Sequence, residues 1–234
     1  MARISLFSSL AFTALLLTPA ALCAQASGNM ETGSLIKNRS AGGYGTDPKD
    51  VRSISRIFAE CTLRRGRGSV ERYLAAPIGG SEEAKLRKRI LVDDCLGAGS
   101  LTLPLEVIRG ALFEQLYLAD FKTAPVADLS AVPAIDYTIG YAQPIAPQAS
   151  NGIALARFGD CVARTDPGNA RSMLVNVPDS RGETAALQAL KSRLGGCIPQ
   201  GQKISFSRSV LRASIAEGLY RLARAATGAP WGAS

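Results

Sequence analysis

The chain has 234 residues, a formal net charge of +8 and no histidine. This length is sufficient for one sizeable hydrophobic core or for two smaller units. The lack of histidine excludes Ser-His-Asp and Cys-His catalysis, and it excludes metal sites with histidine ligands. We therefore predict neither catalytic residues nor a metal or cofactor site.

Residues 1–26 have the pattern of an export signal. Arg3 provides a positive start, residues 4–22 form a mostly apolar run, and a small-residue Ala-Gln-Ala stretch ends at Ala26. These features predict cleavage after Ala26 and export by the general secretory route. An uncleaved membrane anchor is the alternative, because the apolar run is just long enough to span a bilayer. Pro19 and the small residues at the exit argue against that alternative.

Four cysteines remain after cleavage, and an even number in an exported chain predicts two disulfides in an oxidising compartment. The expected location is periplasmic or secreted, with no transmembrane segment once the signal is removed. The positive charge favours an anionic envelope polymer as partner, with another envelope protein as a second option, and nucleic acid is not expected after export. A basic solvated surface that binds nothing specific is the alternative. The four cysteines are Cys61, Cys95, Cys161 and Cys197.

Two parts of the chain match each other in sequence. RIFAECTLRR (56–65) aligns with ARFGDCVART (156–165), and LEVIRGALFEQLYL (105–118) aligns with RSVLRASIAEGLYR (208–221). Because these matches keep the same order in both parts, they indicate an internal repeat. The predicted segments are a flexible N-terminal segment (27–50), repeat 1 (51–121), a Pro/Ala-rich connector (122–150), repeat 2 (151–226) and a tail (227–234).

Each repeat is predicted to contain four helices. The predicted fold is therefore all-α, with two tandem disulfide-stapled four-helix repeats joined by a strap. Ser69 and Asn169 are the predicted N-caps of the second helices. The connector has four prolines, which preclude a long helix, and we expect it to lie as an ordered strap on the helices. The first helices are predicted at 52–65 and 152–164, the third from near Ser81 and Glu183, and the fourth at 104–119 and 206–224.

The repeat also predicts how the cysteines pair. Two equivalent units most simply close themselves, which favours Cys61–Cys95 and Cys161–Cys197 over the two cross-repeat arrangements. Each bond would join the first helix to the end of the third. Closing a loop of about 35 residues contributes on the order of 3–4 kcal/mol in the chain-entropy model.

The fourth helix of each repeat is apolar on most sides. Ile108, Leu112 and Leu116 recur at four-residue spacing, and the opposite side is also poor in polar residues. Such a helix is usually central in the fold. Glu114 and Glu217 are therefore predicted to be buried, and a buried carboxylate needs a partner.

We expect that partner to be an arginine of the same repeat, namely Arg64 or Arg164. A general acid for glycan cleavage is the alternative role, since that chemistry needs no histidine. The repeat favours the structural role, because an active site is normally single whereas a packing solution is copied with the fold. The same reasoning assigns scaffold roles to Arg109 and Arg212. The predicted structural polar network comprises Arg64, Glu114, Tyr117, Arg164, Glu217 and Tyr220.

Function is better sought where the repeats differ. Repeat 1 has 11 basic and 9 acidic residues, whereas repeat 2 has 11 basic and 5 acidic residues. An anionic polymer would therefore prefer repeat 2. Repeat 1 also has Leu118 at the position where repeat 2 has Arg221.

The pattern F-x-x-C-x-x-R, a second cysteine and then [LI]-R-[GA]-x-[LI]-x-E-x-L-Y occurs in both repeats. It resembles a group of exported alphaproteobacterial proteins of unknown function. The resemblance implies the same secreted, disulfide-stapled helical unit and carries no activity.

Taken together, these features predict an exported, non-catalytic cell-envelope protein that acts as a binding or scaffolding module. One alternative is a carboxylate-based hydrolase of cell-wall glycan, which would need two accessible acids in one open cleft. The other is a carrier of an apolar ligand, which would need a large cavity between the two fourth helices.

Overall fold

The structure is a computed structural model that describes residues 35–37, 48–91, 93–95, 100–200 and 206–228. The predicted signal peptide, most of the predicted N-terminal segment and the end of the tail lie outside the described residues. Seven helices account for most of the described chain, which confirms the all-α prediction. They are α1 (Pro48–Ala75), α2 (Ser81–Ile90), α3 (Leu105–Phe121), α4 (Pro147–Thr165), α5 (Pro167–Val175), α6 (Arg181–Leu194) and α7 (Arg208–Ala226).

Shorter elements accompany the helices. A 3-10 turn, Asp93–Cys95, comes after α2, and a second one, Gly195–Cys197, comes after α6. Two short strands, β1 (Leu35–Lys37) and β2 (Ser100–Thr102), pair antiparallel with Leu35 opposite Thr102. This ladder was not predicted from the sequence.

The predicted break between the first and second helices occurs at the same place in both halves. In the first half α1 consists of two helices joined across a kink at Gly66, whose φ of −172° and ψ of 76° are not helical. Asp166, the residue matched with Gly66, has φ −149° and ψ 74° and separates α4 from α5. Ser69 lies three residues after the kink, inside the second of the two helices, so its prediction as an N-cap is wrong. In the second half the cap is Asp166, whose side chain accepts a hydrogen bond from the backbone N–H of Asn169, so the prediction of Asn169 is also wrong. Pro167 explains the shift, because proline favours the first helical position and leaves the preceding residue as the cap.

Both predicted disulfides are confirmed. Cys61 is bonded to Cys95 and Cys161 to Cys197, and the Cα atoms lie 5.7 Å apart in each pair. One bond joins α1 to the 3-10 turn after α2, and the other joins α4 to the 3-10 turn after α6. Paired cysteines of this kind are typical of proteins in oxidising compartments outside the cytoplasm. Within the described residues, the search for a helix of membrane-spanning length and hydropathy found none.

Helices α3 and α7 form the centre of the fold, as their apolar patterns predicted. They pack against each other, while α1 packs on α3 and α4 packs on α7. One cluster of buried apolar side chains includes residues from both halves, so the halves share a core. Its fully buried members on the two central helices include Leu112, Phe113, Leu116, Ile215 and Ala216.

Small residues allow the close approach of these helices. A Cβ atom added to Gly110 would lie 2.1 Å from the Cβ of Ala213, so α3 and α7 are in direct contact there. A Cβ atom added to Gly159 on α4 would lie 1.8 Å from the backbone oxygen of Ser214 on α7. Both contacts involve backbone atoms or a Cβ, which cannot rotate away.

We expect Gly159→Ala to lower the free energy of unfolding by about 1–3 kcal/mol, because α4 must move away from α7 to admit the methyl group. Urea unfolding followed by circular dichroism measures this change. Gly68→Ala is the matched control, since a Cβ atom there would meet nothing within 4 Å. The control should be neutral or raise stability by roughly 0.5–1 kcal/mol through helix propensity. Equal losses in both variants would contradict the close contact.

The connector lies on the helices as an ordered strap, as predicted. Its irregular part covers 122–146, because α4 begins at Pro147. Leu129, Val132 and Tyr137 of the strap are buried. The hydroxyl of Tyr141 accepts a hydrogen bond from the backbone N–H of Ile78 at 2.8 Å, which fastens the strap to the loop after α1.

Candidate functional site

Arg164 has a different role from the predicted one. Its Nη1 donates to the carbonyl oxygens of Leu129 and Val132, and its Nη2 donates to that of Pro133 at 3.0 Å. Its Nε donates to Asp160 at 2.6 Å. Arg164 therefore holds the strap on α4, and the predicted pair with Glu217 is wrong.

The predicted contact between Arg64 and Glu114 is also wrong. The Arg64 side chain is 74% exposed and lies 4.0 Å from Glu60, one turn earlier on α1. Arg64 lies on the solvent side of α1, whereas Glu114 is 4% exposed and faces α7. Because Arg64 points to solvent and Glu114 points to α7, the two side chains do not meet.

Glu114 instead belongs to a buried network centred on Arg212. Its two carboxylate oxygens accept hydrogen bonds from Nη2 and Nε of Arg212 at 2.8 and 2.7 Å, so the contact is bidentate. Nη1 of Arg212 also donates to Glu183 at 2.7 Å. Burial lowers the pKa of Arg212, but the carboxylates of Glu114 and Glu183 outweigh it and raise the pKa above its usual value. The same guanidinium donates to the carbonyl oxygens of Met173, Leu174 and Asn176.

Arg109, which the repeat alignment matches with Arg212, has a different environment. It is 1% exposed. Its Nη1 and Nη2 donate to the carbonyl oxygens of Tyr73 and Leu74 at 3.2 and 2.7 Å, the counterparts of Met173 and Leu174. No carboxylate oxygen of the described residues lies within 4.0 Å of the Arg109 guanidinium, and its buried Nε has no hydrogen-bond partner there. A buried charge without an opposite charge is costly.

The carboxylates that match the partners of Arg212 contact arginines other than Arg109. Glu217, the match of Glu114, lies 2.8 Å from Nη2 and 2.9 Å from Nε of Arg221, one turn later on α7. Glu83, which like Glu183 lies three residues after the N-cap of its helix, is 3.8 Å from Arg87. Repeat 1 has no counterpart of Arg221, since Leu118 occupies the matching position. Arg221 therefore pairs with Glu217, the carboxylate that would contact Arg109 if Arg109 had the same environment as Arg212.

Arg109 lines a cleft of about 340 Å³ between the strap, the loop after α1 and helices α3, α4 and α7. Glu217 and Arg221 line the same cleft, and the Arg221 guanidinium lies 5.5 Å from the ring centre of Tyr137. Most of the remaining wall is apolar. The apolar lining includes Pro77, Ile78, Ile135, Ile153 and Ala156.

One more carboxylate, Asp136, lies at the cleft on the strap. It is exposed, and its Oδ1 accepts hydrogen bonds from the backbone N–H and the hydroxyl of Thr138 at 2.8 and 2.6 Å. The hydrogen bonds from Thr138 hold the pKa of Asp136 below its usual value. Asp136 is therefore a solvated charge at the rim.

The cleft is open because α4 has small residues where α1 has arginines. Gly152 and Ala156 align with Arg52 and Arg56. Near Arg212, Arg52 forms an ion pair with Asp179, and Arg56 lies 3.7 Å from Glu114. The cavity at that matched place is only about 30 Å³. The space next to Arg212 is therefore filled by Arg52 and Arg56. The matching space next to Arg109 is an open cleft.

Of the six residues in the predicted polar network, only Glu217 lines the cleft. Tyr117 packs on the ring of Phe121 at 5.7 Å, and burial raises its pKa. The hydroxyl of Tyr220 donates to Asp120 at 3.2 Å, and burial, aided by the Asp120 charge, raises the pKa of Tyr220 to about 12. Both tyrosines are packing residues.

Arg109 was predicted to be a scaffold residue like Arg212, because residues at matching positions of the repeats were expected to have the same role. The signal that could have found it was the set of differences around it: Arg221 against Leu118, and Gly152 and Ala156 against two arginines. Among the described residues, a search for three clustered His, Cys, Asp or Glu side chains that could hold a metal ion found none.

Comparisons of the chain with protein-family models, with curated proteins and with solved structures found no match.

Proposed function

We propose that the protein is a non-catalytic binding protein of the cell envelope and that the cleft beside Arg109 is its binding site. The observation that supports this proposal is a cleft of about 340 Å³ in which apolar walls meet a buried guanidinium without a carboxylate partner among the described residues. Binding sites for small molecules have volumes of roughly 300–1,000 Å³ and combine apolar walls with a few polar groups.

The charged groups of the cleft favour binding over catalysis. A glycan-cleaving acid must reach the glycosidic oxygen together with a second carboxylate in the same cleft, and it needs a raised pKa. Two carboxylates line the cleft, Glu217 and Asp136. Glu217 forms an ion pair with Arg221 on its own helix, and the hydrogen bonds from Thr138 hold the pKa of Asp136 below its usual value. This pair gives the hydrolase alternative no support.

Two separate observations support the proposed cellular location. The disulfides support an oxidising compartment, and the predicted signal at residues 1–26 supports export. Affinity for an anionic envelope polymer or for another envelope protein stays a prediction from the positive charge of the chain.

A neutral fluorescent probe tests the proposed function. Phenylnaphthylamine is titrated into the full chain with both disulfides oxidised, and we expect saturable binding with one site per chain. Ala156→Arg should weaken this binding roughly tenfold or more, because the new side chain fills the cleft as Arg56 fills the matched place. Circular dichroism checks that the variant remains folded.

The matched control is Ala154→Arg, the same substitution two residues away on the exposed side of α4. The control should leave probe affinity unchanged. Equal weakening in the two variants, or binding that does not saturate, would contradict the assignment of the cleft.

A further inference from the structure

We infer that the ligand of the cleft is a small molecule with one carboxylate on an apolar body, and that Arg109 binds this carboxylate as Arg212 binds Glu114. The inference rests on the proposed function, since it assumes that the cleft binds a small ligand.

The first observation concerns the edge of the guanidinium. On Arg212, Nη1 and Nη2 contact backbone carbonyls while Nε and Nη2 take the carboxylate of Glu114 in a bidentate contact. On Arg109 the matched carbonyls of Tyr73 and Leu74 are also bound, but Nε has no hydrogen-bond partner among the described residues. The Nε edge of Arg212 therefore binds a carboxylate, whereas the Nε edge of Arg109 binds none among the described residues. The planar fork of a guanidinium matches a carboxylate in shape.

The second observation concerns charge. Inside the cleft, Glu217 and Arg221 form an ion pair with each other, and Asp136 is solvated at the rim. Arg109 lies over the rings of Tyr73 and Phe113, at 5.4 and 6.0 Å, but no carboxylate of the described residues lies within 4.0 Å of its guanidinium. A ligand with one negative charge would compensate this positive charge, whereas a second negative charge would face Glu217, which lines the same cleft.

The third observation concerns the body of the ligand. Ile78, Ile135 and Ile153 line the cleft, and Ile139 on the strap also lines it while remaining 75% exposed. The volume is at the lower end of the range for small-molecule sites, which favours a compact ligand such as a medium-chain fatty acid.

Three probes with the same apolar chain test the head-group preference. Octanoate, octanol and octylamine each compete with phenylnaphthylamine for the full chain at neutral pH. We expect octanoate to bind roughly 10- to 100-fold more tightly than octanol, because a charged, bidentate hydrogen bond is strong at a buried site. Octylamine should bind most weakly, because its charge repels Arg109. Equal affinity for octanoate and octanol would overturn the inference.

A pair of variants tests whether Arg109 is the group involved. Arg221→Leu introduces the residue that repeat 1 has at this position, and it leaves Glu217 without its present partner. We expect Glu217 then to pair with Arg109, so that octanoate affinity falls roughly tenfold or more while octanol affinity changes little.

The double variant Arg221→Leu with Glu217→Gln removes the competing carboxylate. It should restore the preference for octanoate over octanol. If the single and double variants lose octanoate affinity equally, Arg221 itself is the carboxylate-binding group and the inference about Arg109 is overturned.

These results also separate the two proposals. Loss of phenylnaphthylamine binding in Ala156→Arg, together with equal affinity for octanoate and octanol, would retain the binding site and overturn only the ligand class. Equal effects of Ala154→Arg and Ala156→Arg on the probe would overturn the site itself.

Discussion

Arg212→Met is expected to lower the free energy of unfolding by about 3–5 kcal/mol, because it leaves buried carboxylates without their main partner. Glu114 and Glu183 are 4% and 1% exposed, and both accept hydrogen bonds from this one guanidinium. Arg56, 3.7 Å from Glu114, compensates only part of the charge. Urea unfolding at neutral pH, followed by circular dichroism, measures the loss.

Arg109→Met is the matched control within the same chain. It removes a guanidinium that binds two carbonyl oxygens but contacts no carboxylate among the described residues. We therefore expect a smaller loss of about 1–3 kcal/mol, the cost of leaving buried acceptors unsatisfied. Equal losses in the two variants would mean that Arg109 neutralises a carboxylate as Arg212 does.

Replacing Cys161 and Cys197 together by serine should lower the free energy of unfolding by about 3–4 kcal/mol, since the bond closes a loop in the unfolded chain. The two cysteines are 36 residues apart in sequence. Urea unfolding of the variant and of the oxidised parent chain, under identical conditions, measures the difference.

The first disulfide provides the comparison for this prediction. Cys61 and Cys95 are 34 residues apart, so the double serine variant at these positions should lose nearly the same stability. The two losses should agree to within about 1 kcal/mol if loop closure is the main effect. A large difference would mean that native contacts around one bond, and not the length of its loop, determine its contribution.

The sequence by itself determined the helices, the central place of α3 and α7, the strap and the disulfide pairs. These features follow from local patterns: apolar residues at four-residue spacing, prolines in the connector, and a cysteine at the matching place in each repeat. The N-caps were predicted less well, because Pro167 begins the helix and places the cap at Asp166, whose side chain accepts the N–H of Asn169 itself.

The tertiary structure decided the partners of the buried charges. Glu114 and Arg212 are 98 residues apart in sequence and lie on different halves of the chain. Sequence patterns do find pairs one helical turn apart, such as Asp160 and Arg164. A partner on another helix depends on which faces meet, and therefore on helix packing.

The cleft likewise depends on residues that the sequence shows but does not bring together. Gly152 and Ala156 are small residues on α4, Arg221 is on α7, and Arg109 is on α3. Only packing places these three helices and the strap around one space. Local chemistry determines where a helix begins and what it buries, whereas interhelical distances determine whether a buried arginine meets a carboxylate of its own chain, as Arg212 does, or keeps a buried Nε without a hydrogen-bond partner among the described residues, as Arg109 does.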